Sequence, residues 1–90
     1  MKFNRLKKIL QGETKSNRLV LEAMKNGRYP MSRIRKTLLE LNDVNLQELA
    51  NGKIGVVTLY NTVRGLSPNE QAREMVAESL GLKVKEVFPD

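Results

Sequence analysis

The sequence predicts an all-α protein, and three observations carry that expectation. Apolar residues recur at helical spacing along most of the chain, as in Ile34, Leu38 and Leu41. Cap residues precede such stretches and a glycine comes after them, as with Asn45 and Gly52, or Ser67 and Gly81. No stretch sustains the alternation of a half-buried strand. The run "GKIGVVTLY" has the Val and Thr content of a strand, but it lies between strong helix signals.

A first helix is expected over Lys2–Gln11, with Phe3, Leu6, Ile9 and Leu10 on one side and Gly12 after it. Ser16 is expected to cap a second over Asn17–Asn26, closed by a left-handed Gly27. After the turn "GRYPM", Ser32 starts a helix to about Leu41, and Asn42-Asp43 breaks it. Asn45 caps "LQELAN", with Glu48 as its capping-box partner and Val44 with Leu49 as a hydrophobic staple. Gly52 ends that short helix. The next spans about Val57–Arg64 and is closed by Gly65. In "SPNE", Ser67 is the expected cap, Pro68 the first helical residue and Glu70 the box partner. Ala72, Met75, Val76 and Leu80 are its buried side, and Gly81 ends it. "KVKEVFPD" supplies a last turn with Val84, Val87 and Phe88 for the core. Five short helices thus fall between Ser32 and Phe88, with two more before them.

Charge divides the chain differently. Of 90 residues with a net charge of +6, residues 1–31 carry eight basic and two acidic side chains. Residues 32–90 carry eight of each sign, so the whole excess lies in the first third. The division expected is a basic helical N-terminal extension, 1–31, and a near-neutral domain, 32–90. Such an extension attracts a polyanion. It can equally be a solvated surface, or an amphipathic pair packed on the domain or on a second copy.

Composition removes several classes of chemistry. The chain has no Cys and no His, hence no thiolate site and neither the commonest general base nor the commonest metal ligand. No phosphate-loop or zinc-protease motif occurs, and Glu70, Glu74 and Glu78 recur on the polar face of a helix. No catalytic residue, metal, cofactor or small-molecule ligand is expected. No apolar run approaches the length of a membrane span, and the N-terminus lacks a signal peptide's apolar segment. The expected location is cytoplasmic, with no membrane partner.

The order of the central helices is the functional signal. "NLQELANGKIGVVTLYNTVRG" sets a capped short helix, a Gly-containing turn and a second helix in succession. Small Ala50 suits a close crossing, and Leu46, Leu49, Leu59, Tyr60 and Val63 are the expected shared core. With "SPNEQAREMVAESLGLKVKEVFPD" behind it, the segment from Ser32 to Asp90 resembles the lambda-repressor-like helix-turn-helix family. Within that family it is similar to the Ner-like regulators of Mu-like phages. One departure stands out. Where the family places a glycine four residues after the bracing alanine, this chain has Ile54, with Gly55 one later and Gly52 as an extra.

The resemblance implies a five-helix DNA-binding domain that represses transcription as a homodimer on double-stranded DNA. It makes "TLYNTVRG" the recognition helix. The outward residues expected to meet bases are Val57, Thr58, Asn61, Thr62 and Arg64. Asn pairs with adenine, and Val and Thr methyls meet the thymine methyl. Arg33, Arg35, Asn45, Gln47 and Lys53 are the expected phosphate contacts. Two rivals remain open on the sequence. One is an antitoxin-like or adaptor module using the same helices without specific DNA binding. The other is a winged helix that reads DNA with Arg33, Arg35 and Lys36.

Overall fold

The computed structural model describes residues 14–89, which form six helices and no strand. They are α1 (Thr14–Asn26), α2 (Met31–Leu41), α3 (Leu46–Ala50), α4 (Val56–Val63), α5 (Glu70–Ser79) and α6 (Val84–Val87). The helix expected over Lys2–Gln11 lies outside the described residues. None of the six helices is long and apolar enough to cross a membrane.

Helix α1 packs on α2, α3 on α4, α4 on α5 and α5 on α6, while α2 also touches α4 and α6. The core is one cluster to which every helix except α3 brings a large apolar side chain, including Leu21, Ile34, Leu38, Leu59, Val76 and Val87. Helix α3 adds Ala50, with Leu46 and Leu49 partly buried against the cluster. Each fully buried Leu or Val contributes about 1.5–3 kcal/mol relative to exposure. Leu21 is therefore a sizeable tie between α1 and the rest. Among the described residues, the helix before residue 31 thus contributes to the same apolar cluster as those after it.

Two polar links strengthen that tie. Buried Asn17 and Asn42 exchange amide hydrogen bonds at 3.3 and 2.9 Å. Asn17 Nδ2 also donates to the Leu80 carbonyl, and Asn42 Nδ2 to the Leu38 carbonyl, both at 2.7 Å. The pair thus joins α1 to the C-terminal ends of α2 and α5. At the surface, Arg18 donates a two-pronged hydrogen bond to Glu86 on α6, at 2.8 and 3.1 Å.

Several helix boundaries differ from expectation for local reasons. Ser16 lies inside α1 and not before it. Arg28, at φ 61°, is the left-handed residue after α1, not Gly27. It closes the helix with Arg28 N–H to Lys25 and Tyr29 N–H to Met24. Gly27 lies close under the Tyr29 ring, where a Cβ would come to 3.0 Å of the ring edge. Pro30, not Ser32, precedes α2 as its cap residue. On α2, Leu39 rather than Leu41 faces the core, because the buried stripe runs through Ile34, Arg35, Leu38, Leu39 and Asn42. Asn69, not Ser67, caps α5: its Oδ1 accepts from Ala72 N–H at 2.8 Å, and Pro68 lies before the helix. Met75 is only half-buried. Asn45 caps α3 as expected, accepting from the Gln47 and Glu48 amides at 2.9 and 3.1 Å.

The links to α1 can be tested by stability measurements. Asn42→Ala leaves buried Asn17 without its partner and should cost about 2–3 kcal/mol in urea unfolding. Adding Asn17→Ala should cost much less than a second such loss, because the two side chains act as one unit. The Glu86 carboxyl is lowered to about 2, first by the Arg18 hydrogen bond and then by the Lys83 N–H. A lowered carboxyl stabilises the fold above its unfolded pKa and loses that contribution as pH falls through the folded one. Thermal melts should therefore separate wild type from Glu86→Gln fully above about pH 5. The two should converge as pH approaches about 2.

Candidate nucleic-acid interface

Helices α3 and α4 form the expected pair, with a turn of unusual build between them. Asn51 and Gly52 are both left-handed, at φ 44° and 73°, and end α3 directly after Ala50. Lys53 N–H closes this turn on the Ala50 carbonyl at 2.8 Å. Ile54, where the resemblance implies a glycine, is half-buried and packs against the core. Gly55 then caps α4, so the helix starts at Val56. The turn between α3 and α4 thus uses Ile54 as an apolar anchor.

Helix α4 has two sharply different sides. Leu59, Thr62 and Val63 are buried against the core. Val56, Val57, Tyr60 and Arg64 are exposed, and Asn61 is half-buried beside them. At about 100° per residue these five positions share one face of the helix. Val57 is 67% exposed and Tyr60 51%. Tyr60, an expected member of the shared core, lies outside it because it sits one turn from both Val56 and Arg64, opposite Thr62. Arg64 holds its guanidinium 5.6 Å from the Tyr60 ring centre. Helical spacing sets Tyr60 beside the buried Leu59 and Val63, so its exposure is decided by the packing around α4 and not by its position in the sequence.

The structure corrects two of the expected contact residues. Thr62 is 0% exposed, and its hydroxyl donates to the Thr58 carbonyl at 2.7 Å, so it cannot reach a base. Thr58 itself is half-buried at the edge of the face. Arg35 is only 3% exposed and cannot reach a phosphate. Its Nε donates to the Val63 carbonyl and its Nη1 to the Val87 carbonyl, both at 2.7 Å. Its guanidinium lies 4.5 Å from the Phe88 ring centre. Arg35 therefore holds the C-terminal ends of α4 and α6. Those ends carry partial negative charge, which suits a cation. The same burial removes Arg35 from the winged-helix reading.

The remaining expected phosphate contacts are spread out. Arg33 shares a groove between α2 and α4 with Lys36, Tyr60 and Arg64. Lys53 instead lines a smaller depression with Glu48 and Glu78. Gln47 is exposed. Asn45 is exposed too, but its oxygen is occupied by the α3 amides it caps. Arg33 and Arg64 are thus brought together, while Asn45, Gln47 and Lys53 belong to the α3 side. No family model, curated protein or solved structure matches the chain.

The Gly65 turn sets the path of the chain beyond α4. Gly65 has φ 81°, and Leu66 N–H returns to the Asn61 carbonyl at 2.8 Å. A Cβ on Gly65 would lie 3.2 Å from Arg35 Nη2, so glycine here serves both the turn and the arginine. Arg35→Ala should lower stability by about 3–5 kcal/mol in urea unfolding, because it strips a buried cation from two carbonyls and a ring. A surface phosphate-binding arginine would change stability by no more than about 0.5 kcal/mol.

Proposed function

We propose that this protein is a sequence-specific regulator of transcription, of the phage or prophage repressor type, that inserts α4 into the major groove of duplex DNA. One observation carries the reading. Helix α4 is braced on its inner side by Leu59, Thr62 and Val63, yet turns Val56, Val57, Tyr60, Asn61 and Arg64 outward as a single face. A short capped helix packs against it, which fits the bracing helix of a helix-turn-helix.

That face has the chemistry for base edges. Asn61 can donate to and accept from adenine, the Val57 methyls suit the thymine methyl, and Arg64 can take guanine or a phosphate. Its low charge implies a division of labour. Arg33, Lys36 and the basic excess of residues 1–31 would supply the phosphate attraction. A homodimer on a repeated site is part of the proposal, since one helix of this length reads only a few base pairs.

The apolar share of the same face favours a second reading, a protein-interaction module. Val57, Tyr60 and nearby Leu66 together make an exposed apolar surface.

Fluorescence anisotropy with duplexes from the region flanking the protein's own gene separates the two. DNA binding should weaken steeply between about 50 and 200 mM salt. Arg64→Ala should flatten the log–log salt slope by about 0.9 if it meets a phosphate. Asn61→Ala should cost about 1–3 kcal/mol on the preferred duplex and little on unrelated ones. Absence of binding at about 50 mM salt, where even non-specific association is strong, would sink the DNA reading.

A further inference from the structure

The groove between α2 and α4 adjoins the outward face of α4 and shares Tyr60 and Arg64 with it, while its apolar lining lies off that face. It encloses about 760 Å³. Its floor is apolar, built from Leu39, Val44, Leu46 and Val63. Its rim carries Arg33, Lys36 and Arg64 against a single acid, Glu40. Exposed Leu66, at 65%, and Tyr60 extend the apolar floor outward at the same end.

We propose that this groove is a docking site for an acidic amphipathic peptide of a partner protein, and that the peptide and DNA exclude one another. The occupant is set by charge and shape together. Three cations around an apolar floor fit a helix that presents one apolar stripe flanked by carboxylates. DNA supplies the negative charge but not the apolar knobs. A second copy of this chain fits less well. Its longest run of exposed acids, Glu70, Glu74 and Glu78 along α5, has no exposed large apolar side chain beside it, and the exposed Leu19 and Leu41 each stand alone on their helices. Exclusion arises from shared residues: Tyr60 and Arg64 line the groove and also belong to the outward face of α4. Only the exclusion rests on the DNA reading; the peptide site does not.

The test uses the full chain and a fluorescein-labelled helical peptide of about 14 residues, about 21 Å long. It carries Leu on one stripe and Glu elsewhere, and a twin carries Lys in place of Glu. The acidic peptide should bind and the twin should bind at least about tenfold more weakly. Lys36→Glu and Arg33→Glu should each weaken the acidic peptide by about tenfold, while Glu74→Lys on α5 should not. Amide chemical shifts should move at Thr37, Val44 and Leu66. Equal binding of both peptides, insensitivity to the two reversals, shifts centred elsewhere, or no binding at about 1 mM would overturn the site. Operator duplex should displace the peptide. If DNA binds without displacing it, the exclusion is wrong and the DNA reading survives. If the peptide binds and no DNA does, the groove stands and the DNA reading fails.

Discussion

The fold depends on one buried cation. Arg35 reaches from α2 to the last carbonyls of α4 and α6 and lies against Phe88. Burying a guanidinium costs several kcal/mol in lost hydration, and only good geometry offsets it. Here the compensation is shared among two charge-assisted hydrogen bonds, two helix ends of negative partial charge and an aromatic face. Because all of these partners must be in place at once, Arg35 ties the position of α4 to that of α2 and α6. The exposed face of α4 is aimed by this arrangement, although Arg35 itself lies inside the protein.

A second buried polar unit works at the C-terminal ends of two other helices. The Asn17–Asn42 pair occupies the open ends of α2 and α5 and draws α1 onto them. Four helix ends are closed in a common way, by a left-handed residue whose successor returns an amide to the helix. Arg28, Asp43, Gly65 and Gly81 hold these positions. The residue after each turn is then directed along a defined line. After Gly65 this puts Leu66 at the mouth of the basic groove, next to Tyr60.

Much of the site was legible locally. The Asn45 cap, the short helix, the altered turn and the second helix can all be read within a few residues, because caps and helical spacing are short-range signals. Val57, Asn61, Arg64 and Arg33 lie on accessible surface as those signals implied. The misreadings come from local signals. Thr62 and Arg35 looked like surface chemistry because they are polar, and Tyr60 looked like core because it falls beside Leu59 and Val63 on the apolar side of its helix. Composition is a weak guide to burial where a buried polar group has a partner elsewhere in the chain.

The sequence by itself determined the helical class, the number and order of helices from Ser32 onward, and the succession of a short capped helix, a turn and a second helix. These arise from contacts within one or two helical turns. Tertiary structure alone decided that α1 belongs to the same core, that Arg35 is internal, and which side of α4 is presented. Arg35 meets its carbonyls 28 and 52 residues away, and Asn17 meets its carbonyl 63 residues away. No local pattern announces such partners, because a polar residue is stable in the interior only once distant backbone has arrived to pair with it.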